Sequence, residues 1–200
     1  MLSSGQAARA FSEHELTSIL SDRAQMAAIR QEAAGPFAGT VSGEPSILQL
    51  SLNLPGLPKR TTDSLRCLEL AFAEASIVLT GAGCRPVSAK AVALRSVDVM
   101  VAVFLAPAPR VKLLSARFED AHQAGRLFDF DVYSSGVPVS RRRLGLAPRR
   151  CFLCAREARS CCASSRHAIA ELRTYALGLM QCYVNDSRLL RGAGREMKSS

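Results

Sequence analysis

A seven-residue stretch in the second half of the chain alternates in a way that only a half-buried β-strand explains well. In residues 127–133, two phenylalanines and a valine alternate with Asp129 and Asp131, so the aromatic side chains share one face and the carboxylates share the other. Residues 134–136, Ser-Ser-Gly, then predict a hairpin turn into a second strand at 137–140. The fold must therefore bury the apolar face of this strand and leave the face with the two carboxylates more open.

Further elements follow along the chain in a mixed order. Hydrophobic periodicity predicts helices at about 13–33, 62–79 and 109–125, a final amphipathic helix from Ile169, and strands at 48–54, 89–94 and 97–105. This order predicts an α+β fold, with a mixed or antiparallel sheet, flanking helices and a small Cys/His-rich C-terminal subdomain. We assign residues 1–148 to an α+β core, and residues 149–200 to the Cys/His-rich segment and the C-terminal helix, packed on that core as one domain.

The charge balance predicts an anionic partner. A formal net charge of +9 and a pI near 9.7 favour nucleic acid, the phosphates of a nucleotide or an acidic protein. Much of the charge lies in one segment that contains Arg141, Arg142, Arg143, Arg149 and Arg150, which could also be a solvated basic loop. The chain shows neither an export signal nor an apolar stretch long enough for a bilayer, and we expect a cytoplasmic protein that does not bind membranes.

The two aspartates have the spacing of a metal-binding pair. Successive same-face positions of a strand place their Cβ atoms about 6 to 7 Å apart, so both carboxylates could bind one Mg²⁺. Arg126 before the strand and Arg141 after the hairpin would flank a magnesium-bound polyphosphate. Nearby, His122 could orient a phosphate or act as a base, or it could simply close a helix. The alternative for Asp129 and Asp131 is a solvent face without function.

Cysteines and a histidine near the C-terminus have the spacing of zinc ligands. Cys151 and Cys154 are separated by two residues, Cys161 or Cys162 follows, and His167 closes the series. Three thiolates and an imidazole are the ligand set of a closed tetrahedral zinc site. The alternative is a group of small buried side chains beside a surface histidine.

These motifs together resemble one family, the phosphoribosyl-dephospho-coenzyme A transferases of citrate lyase, also called citrate lyase holo-acyl-carrier-protein synthases. The resemblance lies in the histidine at 122, Gly-Arg-Leu at 125–127, the two aspartates, Ser-Arg at 140–141, and Pro-Arg-Arg followed by Cys-x2-Cys at 148–154. A third cysteine and a histidine at the family's spacing select Cys161 and His167. Residues 53–59, Asn-Leu-Pro-Gly-Leu-Pro-Lys, and residues 21–23, Ser-Asp-Arg, are also similar to the family.

The sequence departs from the family's pattern at two single residues and one tripeptide. Gln123 stands where the family usually has proline, Ala163 stands where an arginine is common, and Ser-Val-Asp at 96–98 replaces an expected Gly-Pro-Glu. These differences concern the fit of the substrate more than the class of reaction.

The resemblance implies an activity. The group transferred would be phosphoribosyl-dephospho-CoA, passed from triphosphoribosyl-dephospho-CoA to a serine of the acyl carrier subunit of citrate lyase, with release of pyrophosphate. Asp129 and Asp131 would bind magnesium, and we expect a nucleotidyltransferase-like architecture around them. The expected catalytic residues are Asp129, Asp131, His122 and Arg126, and the expected substrate-binding residues are Asn53, Pro55, Gly56, Lys59, Gly125, Ser140, Arg141, Arg149 and Arg150.

The alternative function is a zinc-containing nucleic-acid-binding module, which the same charge and the same cysteines could also indicate. Two acidic side chains beside the basic segment would repel phosphates unless a metal lay between them. Aromatic residues make up only 6% of the chain, and it has no tryptophan for base stacking. Nucleic-acid binding is therefore the less favoured of the two hypotheses.

Overall fold

The computed structural model describes residues 12–39 and 45–196, with side chains described up to residue 186. The α-helices are α1 (Glu13–Ala34), α2 (Ser64–Gly81), α3 (Ala108–Ala121), α4 (Ala158–Ala163) and α5 (Ile169–Glu196). The strands are β1 (Ser46–Leu52), β2 (Pro86–Ala93), β3 (Asp98–Phe104), β4 (Phe128–Ser134) and β5 (Val137–Val139). No helix within these ranges is long and apolar enough to span a bilayer.

The strands form one antiparallel sheet in the order β2-β3-β1-β4-β5. The sequence allowed a mixed or an antiparallel sheet, and the antiparallel one is confirmed. In the register of β1 with β4, Leu50 lies opposite Phe130, whereas Ser51 lies opposite Asp129 and Gln49 opposite Asp131. The alternation of residues 127–133 is therefore continued in the neighbouring strand, with apolar pairs on one face and polar pairs on the other.

The apolar face carries the main core. Phe130 and Leu50 are fully buried there together with side chains of α2, α3 and α5, such as Leu68, Val111 and Met180. On the opposite face, α1 forms a second cluster, in which Met26 packs with Ile47 of β1 and with valines of β3. The two aspartates of β4 lie on this second face, beside the part that α1 covers.

The outer edge of β4 is completed by helix α3 and not by a strand. β5 pairs only with residues Val132, Tyr133 and Ser134, which leaves the middle of β4 without a strand partner on that side. There the backbone N–H of Phe130 donates to the Glu119 carboxylate, and its carbonyl accepts from the Lys112 ammonium group. Helix α3 thus satisfies backbone groups that would otherwise be buried without a partner.

Two boundaries and one short helix differ most from the sequence predictions. β2 begins at Pro86 and not at residue 89, because proline is tolerated as the first residue of an edge strand. α3 ends at Ala121, since His122 adopts an extended backbone, and Gly125 lies in a separate 3₁₀ turn, Gly125–Leu127. The short helix α4 was not predicted, because its sequence shows no apolar periodicity.

The packing of Gly125 against α3 generates a stability prediction. A Cβ atom at this position would lie 1.9 Å from the backbone carbonyl oxygen of Glu119. No flexible side chain is involved, so the clash could be relieved only by a shift of the backbone. Gly125→Ala should lower the free energy of unfolding by about 3 kcal/mol. Chemical denaturation measures the change.

Gly178→Ala is the matched control for this substitution. Gly178 lies within α5 with open space around its Cα, so alanine should leave stability unchanged or raise it by up to about 1 kcal/mol. Equal stability of the two variants would contradict the close contact between the 125–127 turn and α3.

Candidate functional site

A buried carboxylate connects the predicted arginines to the sheet. The side chain of Glu119, in the last turn of α3, is only 2% exposed. Its Oε2 lies 2.5 Å from Nη2 of Arg141, and its Oε1 lies 2.7 Å from Nη2 of Arg149 and 2.9 Å from the backbone nitrogen of Phe130. Two guanidinium groups from the loop after β5 are thereby fixed against the edge of β4.

Arg149 links this carboxylate to the aspartate pair. Its Nη1 lies 2.6 Å from Oδ1 of Asp129, while its other nitrogens bond to Glu119. Burial alone would lower the pKa of Arg149, but the carboxylates of Glu119 and Asp129 raise it above its ordinary value. The guanidinium therefore stays charged, and Asp129 is half-buried in a strongly cationic setting.

Asp131 has the more perturbed carboxyl of the pair. Burial raises its pKa to about 6, and the nearby negative charge of Asp129 acts in the same direction, while Lys112 and Arg149 oppose the rise. A cation bound between the two aspartates would favour the ionised form. The two carboxylates of β4 therefore lie close enough for the charge of Asp129 to affect the pKa of Asp131.

Arg126 is a half-buried guanidinium with few partners. Its Cζ lies 4.8 Å from the centroid of the Phe152 ring, in a cation–π contact. Its Nε is buried without a hydrogen-bond partner among the described residues. Burial lowers the pKa of Arg126, and the charge of Arg149 lowers it further.

A cavity of about 670 Å³ lies between the end of α3 and the loop that precedes α4, and arginine side chains line it. Glu119, Asp120, His122 and Gly125 also contribute to its wall, together with residues 147–155. Asp129 and Asp131 are not among the lining residues. The cavity and the aspartate pair are separate places that Arg149 joins. The guanidinium groups at the cavity belong to Arg126, Arg141, Arg149 and Arg150.

The turn at residues 53–59 lies beside the same region. The backbone N–H of Asn53 donates to the Leu127 carbonyl at 2.7 Å, and its side-chain amide lies 3.3 Å from the Arg126 carbonyl oxygen. Lys59 donates to the carbonyl of Leu54, and burial lowers the pKa of Lys59, with Arg173 adding to the effect and Asp129 opposing it. Lys59 is therefore within electrostatic reach of Asp129.

The turn itself is held by the last helix. Arg173 of α5 donates to the carbonyls of Pro55 and Pro58 at 2.9 and 2.7 Å. Gly56 has a φ of +67°, and a Cβ there would meet Ile169 at 3.0 Å. Glycine is thus needed at this position for both its conformation and its size.

His122 is bonded within the protein at both ring nitrogens. Its Nδ1 accepts from the backbone N–H of Ala124 at 3.0 Å, and its Nε2 lies 3.0 Å from the carboxylate of Glu74. The ring packs among aromatic side chains, with the ring centroids of Phe128 and Tyr183 at 5.2 and 5.3 Å from its own. These contacts suit a residue that closes the end of α3, and His122 also lines the cavity described above. Ser140, the remaining predicted site residue, accepts at 3.3 Å from the backbone N–H of Arg143.

The predicted cysteine and histidine ligands come together in space. One ligand atom from each of Cys151, Cys154, Cys161 and His167 lies within 4.8 Å of every other. The Sγ atoms of Cys154 and Cys161 are 3.9 Å apart, whereas Cys162 is exposed and outside the group. Nε2 of His167 is buried without a hydrogen-bond partner in the described part of the chain. This cluster could hold a metal ion.

Two residues of the site were not found by sequence reasoning. Glu119 lies in the last turn of a helix, where the helix dipole disfavours an acidic residue, and that position is its one signal. Arg173 is an unremarked basic residue in an amphipathic helix, and its role appears only when α5 packs beside the 53–59 turn.

Comparisons with known proteins agree with the sequence resemblance. The sequence model of the family described as "Apo-citrate lyase phosphoribosyl-dephospho-CoA transferase" matches residues 14–183. The protein of that name from Escherichia coli O9:H4 (strain HS) is 39% identical over 82 residues, which cover 40% of this chain and 43% of that protein. Protein CitXG of Leuconostoc mesenteroides subsp. cremoris is 41% identical over 63 residues, which cover 30% of this chain and 14% of that protein. The matched segments therefore span less than half the length of these relatives.

The carboxyl of Asp131 generates a pH prediction. Its pKa of about 6 in the folded protein exceeds the ordinary value of 3.8, so the folded state binds this proton more tightly than the unfolded state does. Its contribution to the free energy of unfolding is therefore present below about pH 4 and is lost as the pH rises through about 6. Asp131→Asn should gain stability relative to the unsubstituted protein across that window.

Urea unfolding of both proteins in magnesium-free buffer, from pH 4 to pH 7.5, measures this difference. Other titrating groups are common to the two proteins and cancel. A difference that stays constant with pH would contradict the raised pKa.

Proposed function

The chain belongs to the apo-citrate lyase phosphoribosyl-dephospho-CoA transferase family, and on that premise we propose that it transfers phosphoribosyl-dephospho-CoA from triphosphoribosyl-dephospho-CoA to a serine of the citrate lyase acyl carrier protein. The observation that carries this proposal is the carboxylate pair of β4 beside an arginine-lined cavity, with Arg149 bonded to both sides. In the reaction, the serine oxygen forms a bond to the innermost phosphorus of the triphosphate. The bond to the outer two phosphates breaks, pyrophosphate leaves, and the hydroxyl proton is released.

Asp129 and Asp131 would hold magnesium in this proposal. Their carboxylates share one face of β4, and hard oxygen ligands are those that Mg²⁺ prefers. When bound, the cation would neutralise part of the negative charge on the reacting triphosphate. A carboxylate pair on an open sheet face beside arginines also supports our proposal of a nucleotidyltransferase-like architecture.

The basic side chains would bind the triphosphate. Lys59 lies within electrostatic reach of Asp129, and the buried Nε atom of Arg126 has no hydrogen-bond partner among the described residues. Arg141 and Arg149 are held in fixed orientations by Glu119, which lowers the cost of ordering them when an anion binds. The backbone of residues 53–56, Gly125 and Ser140 would complete the substrate-binding surface.

The partner protein would dock on the exposed part of the arginine-rich segment. Arg142 and Arg143 are exposed at its surface, and the net charge of the chain is +9. Acyl carrier proteins are usually acidic, so complementary charge would steer the carrier serine to the site. The carrier is thereby proposed as the macromolecular partner in preference to nucleic acid.

The Cys/His cluster would hold a structural zinc ion. In a tetrahedral site with Zn–S bonds of about 2.3 Å, sulfur atoms are about 3.8 Å apart. The sulfur atoms of Cys154 and Cys161 are 3.9 Å apart, which fits this geometry. The buried Nε2 of His167 would gain the partner that it otherwise lacks.

The aspartate pair is tested by substitution. Asp129→Asn and Asp131→Asn keep the shape of the side chain but remove a charge at the proposed metal site, and transfer should slow by at least ~100-fold. The measurement is the mass shift of the carrier serine and the release of pyrophosphate in the presence of magnesium. Asp186→Asn, an exposed substitution on α5, is the charge-matched control and should keep the original rate.

Near-normal transfer by both site variants would remove the aspartates from the proposal. Absence of transfer by the unsubstituted protein, together with salt-dependent binding of DNA or RNA, would instead support the nucleic-acid-binding alternative.

The zinc site is tested by elemental analysis of protein purified without chelator. We expect about one zinc per chain, lost in Cys154→Ser together with thermal stability, because metal binding contributes to folding of this segment. Cys162→Ser is the matched control, since Cys162 neighbours a ligand but is exposed. Little zinc in the unsubstituted protein, with equal melting of both variants, would mean that the thiols are ordinary packed residues.

A further inference from the structure

The cavity beside α3 contains more positive charge than the protein neutralises. Four arginines line it, and two of them, Arg141 and Arg149, are paired with the carboxylates of Glu119, Asp120 and Asp129. The other two, Arg126 and Arg150, form no ion pair among the described residues. The Nε atom of Arg126 is buried there without a hydrogen-bond partner, and Arg150 is exposed at the rim. A half-buried cation without a partner is unfavourable unless an anion joins it.

The remaining arginines are fixed in place before any ligand arrives. Arg141 donates to Glu119, Asp120 and the carbonyls of Ala116 and Ala147, with donor–acceptor distances of 2.5 to 3.2 Å. Arg149 is held between Glu119 and Asp129. These two side chains form a rigid positive wall, and Arg126 is oriented by its contact with Phe152. Such preorganisation is what an anion-binding site requires.

We propose that this cavity is a diphosphate-binding site, in which Arg126 and Arg150 contact the anion and Glu119 positions Arg141 and Arg149 behind them. Two guanidinium groups without a carboxylate partner can each pair with one phosphate group of a diphosphate. A volume of about 670 Å³ also exceeds what one phosphate would fill. Planar guanidinium groups suit the bidentate pairing that phosphate oxygens allow.

The site complements the aspartate pair without overlapping it. Arg149 borders the cavity and bonds to Asp129, so a diphosphate in the cavity would adjoin a phosphate held at the aspartates. This link rests on the proposed function, and two sources of the diphosphate fit it. One is the outer part of the triphosphate, which leaves as pyrophosphate, and the other is the internal diphosphate of the dephospho-CoA moiety.

Calorimetric titration of the full chain with inorganic pyrophosphate, without divalent cations and at about 0.15 M salt, tests the site directly. We expect saturable binding that Arg126→Gln weakens by about 10-fold or more, since at least one charge-assisted hydrogen bond is lost. Arg143→Gln removes the same charge from an exposed position outside the cavity and should change binding by less than about twofold.

Arg150→Gln provides a second variant in case Arg126→Gln does not fold. Arg150 is exposed, so its substitution leaves the core intact, and we expect a loss of about threefold or more in pyrophosphate affinity. No saturable binding by the unsubstituted protein, or equal affinities of Arg150→Gln and Arg143→Gln, would overturn the proposal.

Dephospho-CoA, which carries an internal diphosphate but no triphosphate, distinguishes the two sources. If dephospho-CoA binding also falls in Arg150→Gln, the cavity holds the internal diphosphate. If only pyrophosphate binding falls, the cavity holds the leaving group, and both outcomes support a diphosphate site. Because these titrations involve no turnover, pyrophosphate binding without carrier modification would count against the proposed function and not against the site.

Discussion

The buried carboxylate of Glu119 is the interaction on which fold and site both depend. One oxygen accepts from the Phe130 backbone and from Arg149, and the other accepts from Arg141 and Arg149. The same group therefore completes the edge of the sheet and orients two cations of the site. Breaking a buried, fully bonded ion pair typically costs about 3–5 kcal/mol, because the remaining charges are left without partners. The geometry of the arginines is thus tied to the stability of the α3–β4 contact.

Several residues that carry the family resemblance have a structural reason that can be read without any substrate. Gly125 is required because the backbone of Glu119 occupies the space of a Cβ. Asn53 donates to the backbone carbonyls of Arg126 and Leu127 within the 125–127 turn, which fixes the backbone from which the Arg126 side chain extends. In the same way Asp22 accepts from the backbone N–H groups of Arg95 and Ser96, which holds the β2–β3 connection against α1. The motif therefore describes a scaffold as well as a reactive surface.

Sequence reasoning succeeded where a pattern is local. The two-residue period of 127–133 predicted which face of β4 carries the aspartates, and cysteine spacing predicted a cluster that the structure brings together. It could not give the strand order, because β1 pairs with β3 and β4, which lie far from it in the chain. Nor could it find Glu119 or Arg173, since their partners are backbone and side-chain groups from other elements.

The Cys/His cluster and one wall of the arginine-lined cavity belong to the same short segment. Between residues 145 and 168 only Cys151 and Cys161 are buried, and both belong to the cluster. Apolar burial is therefore too small to fix this segment, and its few backbone bonds, such as Ala158 to the Arg149 carbonyl, are all local. Cys151 directly follows Arg149 and Arg150, and Phe152 underlies Arg126. Whatever holds the four ligand atoms together consequently also sets the position of the cations on the cavity wall.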